Sequence, residues 1–225
     1  MERLTASETE LLTRMLKSHA YREKLAAQRF EGAIGLAPTG ETEKYLLHVA
    51  EEEWEHYHKC VKVAKELGID LEPLVDARML VPPPGIPPFN HWLDVLLAHA
   101  FNDQAGYFVL AGLTNSKVMP YAELAAEIIA EEKMHGRYGA TLLQEYYGTM
   151  HCDEAAKSTM LITHLDAAVR CLGQPNTSGE RLAVSTGLKT KLSEEIIREF
   201  CAYADDVLQR IQRQDLMPIS CRYLR

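Results

Sequence analysis

The chain has 225 residues, and its 24 lysine and arginine residues against 32 aspartate and glutamate residues give a formal net charge of −8. This acidic balance argues against a nucleic-acid-binding protein, because phosphate recognition requires a basic surface. Hydrophobic residues make up 47% and charged residues 25% of the chain. These values exclude disordered and fibrous proteins and favour an ordinary globular protein with one sizeable core.

The cysteines and the N-terminal sequence indicate a soluble, cytoplasmic protein. Five cysteines are scattered without a Cys-x-x-Cys pair, which predicts reduced thiols and argues against a thiolate zinc site. The stretch MERLTASETE has neither the hydrophobic run of a signal peptide nor the arginine-rich character of a transit peptide. The segment 95–116 is poor in charge, but its centre is too polar to span a bilayer.

Hydrophobic residues recur at spacings of three and four over most of the chain, which predicts an all-α fold. Ser7 and Glu10 are expected to form a capping box at the start of the first helix, and Asp153 and Ser193 are expected to be N-caps of the last two. Six helices are predicted, with approximate bounds 7–35, 42–67, 90–113, 119–148, 153–173 and 193–215.

Between the second and third predicted helices lies IDLEPLVDARMLVPPPGIPPF, which contains six prolines and is expected to be extended. At about 3.1 Å per residue it could cover about 60 Å, more than the roughly 40 Å of a 26-residue helix. The chain can therefore return to the same end of a bundle, as in ferritin-like four-helix bundles. We expect one domain over 1–225, with a core bundle at about 7–148 and two C-terminal helices outside it. A proline-rich linker between two small domains is the alternative.

Three Glu-x-x-His pairs occur on predicted helices, and their position on the helix distinguishes them. Glu53 and His56 interrupt an otherwise hydrophobic stripe of the second helix, and Glu132 and His135 do the same in the fourth. The pair Glu55/His58 lies on a charged, solvated face and is discarded.

Two further carboxylates are candidates for the same interior. Asp103 lies on a stripe of the third helix with Ala100 and Leu110, and Glu31 lies on a stripe of the first helix that also includes Lys24. If Glu31 is not the first-helix carboxylate, the substitutes are Glu41 and Glu43.

Buried carboxylates in such numbers would repel each other unless cations neutralise them. A dinuclear metal centre achieves this, because a glutamate can bridge two metal ions and a histidine can bind one of them as a terminal ligand. Carboxylate and imidazole ligands suit iron, with manganese as the second choice. The proposed metal ligands are Glu31, Glu53, His56, Asp103, Glu132 and His135, with Glu53 and Glu132 central to catalysis. The alternative is that the two pairs are hydrogen-bonded core residues.

Other residues near the predicted site are expected to be structural. Cys60 and Tyr107 are interpreted as core residues, and His48, His99 and His164 as surface or hydrogen-bonded histidines.

The sequence resembles the phenylacetyl-CoA epoxidase family of di-iron proteins, specifically its catalytic A subunit. The resemblance rests on four stretches: EGAIGLAPTG, EEEWEHYHKCVKVAKELG, NDQAGYFVLAGL and PYAELAAEIIAEEKMHGRYGATLL. It implies a cytoplasmic di-iron monooxygenase of phenylacetate catabolism that acts on an aryl- or acyl-CoA thioester and forms an epoxide or alcohol. It also implies O2, an external reductase, assembly into an oligomer and a companion ferritin-like subunit.

The predicted function is therefore oxygen insertion into a hydrophobic substrate by a di-iron centre. No flavin or iron–sulfur motif is present, so electrons must come from a separate reductase. The alternatives are a non-catalytic metal-binding scaffold, an iron-handling protein or companion subunit, and a tRNA hydroxylase of related di-iron type.

Overall fold

A computed structural model describes residues 4–81, 85–149 and 153–224 of the chain. These residues form helices and connecting loops without any strand, which confirms the all-α prediction. The α-helices are α1 (Ala6–Ala33), α2 (Gly40–Glu66), α3 (Glu72–Met79), α4 (Trp92–Leu97), α5 (Gln104–Ala111), α6 (Met119–Tyr147), α7 (Glu154–Cys171), α8 (Ser178–Ser185), α9 (Ser193–Arg210) and α10 (Ser220–Tyr223). Short 3-10 turns lie at Ile34–Leu36 and Gln214–Leu216.

The bundle consists of two helical hairpins. In the first, α1 packs along α2, and in the second, α6 packs along the helix formed by α4 and α5. Contacts between α2 and α6 join the hairpins. The long connection between α2 and α4 gives the topology of a ferritin-like helical bundle with one crossover.

The first helix begins earlier than the sequence indicated. Thr5, not Ser7, is the N-cap of α1, and it forms a capping box with Glu8. The Thr5 amide donates to Glu8 Oε2 at 2.7 Å, and the Glu8 amide donates to Thr5 Oγ1 at 3.3 Å. This arrangement satisfies amides that the first helical turn leaves without a partner.

The crossover is not fully extended, because it contains α3. Pro73 lies in the first turn of α3, where a missing amide proton costs nothing. Leu71 and Val75 are completely buried against the bundle. The hydrophobic residues of this segment therefore outweigh its proline content, and the prediction of an extended chain is wrong for residues 72–79.

The third bundle helix contains a π-helical segment, Ala98–Asp103, between α4 and α5. Gly136 and Gly139 of α6 allow the two helices to approach closely at this segment. A Cβ atom at Gly139 would lie 2.3 Å from His99 Cβ and 2.9 Å from the Ala100 amide nitrogen. The π segment and the glycines together determine where Asp103 lies relative to α6.

The C-terminal helices α7 and α9 pack on the bundle and extend its hydrophobic core. Asp153 accepts a hydrogen bond from the Ala156 amide, as expected for an N-cap. The N-cap of α9 is Leu192 and not Ser193, and Glu195 accepts from the Leu192 amide at 2.8 Å. The short helices α8 and α10 were not predicted.

No helix in the described parts of the chain is long and hydrophobic enough to cross a membrane.

Candidate metal centre

The two Glu-x-x-His pairs come together in the interior of the bundle, where α2 and α6 face each other. Glu53 and His56 are 2% and 0% exposed, and Glu132 and His135 are 4% and 0% exposed. By contrast Glu55 and His58, on the outer face of α2, are exposed. Helical phase thus distinguishes the buried pairs from the solvated one.

Asp103 joins this interior from the π-helical segment. Glu53, Asp103 and His135 each offer one potential metal-ligand atom, and these three atoms lie within 4.8 Å of one another. Asp103 Oδ2 also lies 2.7 Å from His99 Nδ1, which orients the carboxylate. His99 is completely buried, and its ring stacks on Phe30 with centroids 4.2 Å apart.

The first-helix carboxylate that lies in this interior is Glu23, whereas Glu31, the predicted one, lies outside it. Glu23 is 8% exposed and shares a second group, again within 4.8 Å, with Glu53, His56 and Glu132. Glu31 is exposed and lies outside both groups, where its Oε1 accepts a hydrogen bond from Trp54 Nε1 at 3.1 Å.

The alternatives Glu41 and Glu43 do not reach the interior either. Both are exposed in the first turn of α2. A sequence signal for Glu23 did exist, in a stripe whose members are spaced by three or four residues and buried in the structure: Leu12, Leu16, His19, Glu23, Ala27 and Phe30.

Glu53 belongs to both groups of potential ligands. Its Oε2 lies 4.0 Å from His56 Nδ1, and its Oε1 lies 3.5 Å from His135 Nδ1. A carboxylate with one oxygen toward each histidine is placed to bridge two ions. Two adjacent positions for cations, sharing Glu53, are therefore available in the described bundle.

Both histidines turn the same nitrogen toward the cluster. His56 Nδ1 lies 3.3 Å from Glu132 Oε1, and neither it nor His135 Nδ1 has a hydrogen bond of good geometry. The opposite nitrogens are bonded, with His56 Nε2 donating to Glu131 Oε2 at 2.7 Å and His135 Nε2 to Glu52 Oε2 at 2.8 Å. Because Nε2 is held by a carboxylate, Nδ1 is the nitrogen that a metal ion can bind once it displaces the Nδ1 proton, as in metal sites with carboxylates behind the histidines.

The protonation of the cluster shows how strongly the charges interact. Burial raises the pKa of Glu53 well above its usual value, and the carboxylate of Glu132 raises it further. Burial also raises the pKa of Glu132. Burial opposes the ionisation of Glu23 too, but the nearby imidazoles of His19 and His56 hold its pKa well below the usual value. Against burial, Glu132 and Glu23 raise the pKa of His56 to about 12.

These residues fit a pair of divalent or trivalent cations. Protons neutralise the cluster in part, and cations would replace them on carboxylate oxygens and on the unbonded Nδ1 atoms. Cys60 is buried nearby, but burial raises the pKa of its thiol well above the usual value, so it stays protonated. An oxygen- and nitrogen-rich donor set without thiolates suits iron or manganese better than a structural zinc ion.

A cavity leads to the cluster. Glu23, Glu53, Asp103 and Glu132 all line it. The rest of the wall is largely hydrophobic, with Leu25, Ala26, Phe30, Ile86, Phe89, Ala98 and Leu110. A wall of this composition favours contact with an apolar group.

Two arginines, Arg22 and Arg29, also line this cavity. Arg29 donates a hydrogen bond from Nη2 to the carbonyl oxygen of Pro87 at 2.6 Å, and its guanidinium lies 3.8 Å from the centroid of the Phe89 ring. Burial lowers the pKa of Arg29 to about 10, so it is still a cation at neutral pH. The end of the proline-rich crossover is thereby held as one wall of the cavity.

The remaining candidate residues behave as structural groups. Tyr107 is half-buried, with the Lys133 ammonium 5.4 Å from its ring centroid, and it does not line the cavity. His48 is exposed, and His164 is buried with its Nε2 3.3 Å from Asp94 Oδ1. His99 is the exception, because its hydrogen bond to Asp103 makes it part of the site. The sequence feature that could have predicted this contact is the spacing of four residues between His99 and Asp103 on one helix.

The fold and the cluster are those of a ferritin-like helical protein with a buried site suited to metal ions. The chain belongs to the phenylacetic acid catabolic protein family, whose model matches residues 1–212. Members of this family are components of the phenylacetyl-CoA oxygenase complex, which indicates an enzyme-related role in phenylacetate catabolism alongside partner subunits. A search among curated proteins finds no significant match to this chain.

Proposed function

We propose that this chain is an oxygen-activating di-iron subunit, similar to the catalytic A subunit of the phenylacetyl-CoA epoxidase complex. One observation carries the proposal: Glu53 is shared by two groups of potential ligands at the inner end of a hydrophobic cavity. The companion subunit of the complex, by resemblance, lacks a full ligand set. The ligand set proposed here, with Glu23 in place of Glu31, therefore supports the catalytic assignment.

Within this proposal, Glu23, Glu53, His56 and Glu132 would hold one ion, and Asp103, His135 and Glu53 the other. Two bound iron ions would supply the activation of O2 that inserts one oxygen atom into the substrate. Glu52 and Glu131 hold the two histidines in position through hydrogen bonds to Nε2. Since these bonds fix both rings before a metal arrives, the site is preorganised for binding.

The cavity would place the substrate next to the cluster and exclude water from it. Its hydrophobic wall suits an aromatic ring, and Phe30 and Phe89 face that space. Arg22 and Arg29 are suited to a carbonyl or anionic group of the same molecule. An aryl- or acyl-CoA thioester has both a hydrophobic end and a polar, anionic end, and an epoxide or alcohol would be the product.

The first test is the metal content of the chain after anaerobic loading with ferrous iron. We expect about two irons per chain in the parent and loss of iron in the double variant Glu132→Ala/His135→Ala. The double variant Glu55→Ala/His58→Ala is the matched control, because it removes the same residue types from the exposed face of α2. It should retain the iron of the parent.

The second test is oxygen insertion with phenylacetyl-CoA, a reductase and isotopically labelled O2. Labelled epoxide or alcohol from the parent, and none from Glu132→Ala/His135→Ala, is the expected result. Iron binding without any labelled product in the presence of companion subunits would instead support a metal-binding scaffold. Failure of the parent to bind iron would overturn the proposal.

A further inference from the structure

The outer face of α6 carries a shallow groove directly behind the metal cluster. It is lined by Ala130, Lys133, Met134, Arg137, Tyr138 and Thr141. Glu132 and His135 lie on the inner face of the same helix. Only the thickness of one helix therefore separates this surface from the candidate metal ligands.

Aromatic rings connect the cluster with the groove. The His99 ring lies 6.5 Å from that of His135 and 5.5 Å from that of Tyr45, measured between centroids. Tyr45 packs edge-on against Tyr138 with centroids 4.5 Å apart, and Tyr138 is 36% exposed in the groove. These contacts form a continuous path of π systems from a metal ligand to the surface.

Tyr45 has no structural role that explains its hydroxyl group. That hydroxyl is buried and has no hydrogen-bond partner among the described residues, an arrangement that costs free energy relative to phenylalanine. The ring itself bridges His99 and Tyr138, so the aromatic system, and not the hydroxyl, links the interior with the surface.

The groove has the charge and hydrophobicity of a transient docking surface. Lys133 and Arg137 make no ion pair among the residues that the structure describes, although the chain as a whole is acidic. Met134 is 52% exposed between them. The acidic neighbours of Tyr138 are Glu41, in the first turn of α2, and Glu145, near the C-terminal end of α6, and neither lines the groove. Basic side chains around exposed methionine and tyrosine fit an acidic protein partner.

We propose that this groove is the electron-entry surface of the protein, where an acidic [2Fe–2S] protein docks and reduces the metal centre through Tyr138 and Tyr45. This inference rests on the proposed function, since it requires iron in the cluster. One electron leaves the reduced donor and converts one ferric ion to a ferrous ion, while no atom is transferred. Small, weakly bound interfaces of this kind are typical of electron-transfer complexes.

The docking step is tested on the metal-free chain, so that its result does not depend on the iron site. The probe is an acidic plant-type [2Fe–2S] ferredoxin, titrated at low and at high ionic strength. Lys133→Glu/Arg137→Glu should weaken binding about tenfold at low ionic strength, and the difference should vanish at high salt. Lys62→Glu/Lys65→Glu changes the net charge equally at exposed positions near the far end of α2, and it should bind like the parent.

The electron path is tested on the iron-loaded chain by following oxidation of the reduced ferredoxin. Tyr138→Leu and Tyr45→Leu should slow this reaction several-fold, whereas Tyr138→Phe and Tyr45→Phe keep the ring and should match the parent. Reduction by dithionite, a small reagent that needs no docking surface, should be equal in all variants. Tyr138 is partly exposed, so its variants are expected to fold even if Tyr45→Leu does not.

Two results would overturn the inference. One is equal weakening of ferredoxin binding by the Lys133/Arg137 and Lys62/Lys65 variants. The other is reduction of the Tyr138→Leu centre by ferredoxin at the rate of the parent. If the parent binds no iron and only Lys133→Glu/Arg137→Glu loses ferredoxin binding, the docking surface is supported and the proposed di-iron function is contradicted.

Discussion

Glu52 of α2 accepts a hydrogen bond from His135 of α6 at 2.8 Å, so each histidine of the cluster is held by the opposite helix. The reciprocal bond joins His56 of α2 to Glu131 of α6. In both helices the residue that precedes the buried glutamate performs this role. The sequence pattern of the site is therefore Glu-Glu-x-x-His, twice, and not only Glu-x-x-His.

Glu52→Gln and Glu131→Gln should each lower the affinity for ferrous iron about 10–100-fold, because a neutral amide orients and polarises the imidazole less well than a carboxylate. Competition with a chelator of known affinity measures the effect. Glu51→Gln, on the exposed side of α2, provides the control and should match the parent. Affinities unchanged in both variants would mean that packing alone positions the histidines.

The position of Glu23 in the bundle interior leads to a second prediction. Glu23→Ala should lose bound iron, since it removes one of the four residues of the group that includes His56. Glu31→Ala should retain it, because Glu31 is an exposed partner of Trp54. Iron per chain after anaerobic loading and desalting measures both. Loss of iron in Glu31→Ala alone would restore the sequence-based assignment.

These residues also show what the sequence could reveal. The stripes of α2 and α6 were unambiguous, since Glu53/His56 and Glu132/His135 were the polar interruptions of hydrophobic faces. In α1, the prediction rested on a stripe that contained Lys24 and Glu31, whereas the buried stripe lies one residue away and contains Glu23. Lys24 forms an ion pair with Asp76 of α3 at 2.7 Å, a contact that helical periodicity cannot reveal.

Other features depend on tertiary packing and had no local signal. The π-helical turn at Ala98–Asp103 fits against Gly136 and Gly139 of another helix. The bonds from His56 to Glu131 and from His135 to Glu52 cross between helices that are about 80 residues apart in sequence. Such pairs become visible only when the register of the two helices is known.

The close contact at Gly139 provides a third prediction. Gly139→Ala should destabilise the protein by roughly 1–3 kcal/mol or more, since its Cβ would overlap His99 and the backbone of the π-helical segment. Gly32→Ala is the matched control in α1, where no described atom outside the adjoining residues and the helix's own backbone lies within 4 Å of an added Cβ. That substitution should be neutral or stabilise by about 0.4–1 kcal/mol. Urea unfolding of the metal-free chains measures both free energies.

The outcome at Gly139 also bears on the site. Because the π-helical segment contains His99 and ends at Asp103, an overlap there should lower iron affinity as well as stability. A stable Gly139→Ala protein with normal iron content would show that α6 can move away from the segment without disturbing the cluster.

His164 gives a prediction for pH. Burial lowers its pKa below the usual value of 6.5, although its contact with Asp94 partly offsets the effect. The unfolded chain therefore binds this proton at a higher pH than the folded chain does. Where the unfolded state holds more protons, stability rises with pH. The contribution of His164 is thus complete above about pH 6.5 and is lost as the pH falls toward the lowered folded-state pKa.

Urea unfolding of the metal-free chain at several pH values between about 5 and 7.5 tests this prediction. His56 and His135, whose folded-state pKa values are raised, add the same pH dependence to the parent and to His164→Gln, so the difference between the two curves isolates His164. The parent should gain stability relative to His164→Gln as the pH rises through this window. Parallel curves would show that His164 takes up its proton in the folded state as readily as in the unfolded state, with Asp94 compensating fully for burial.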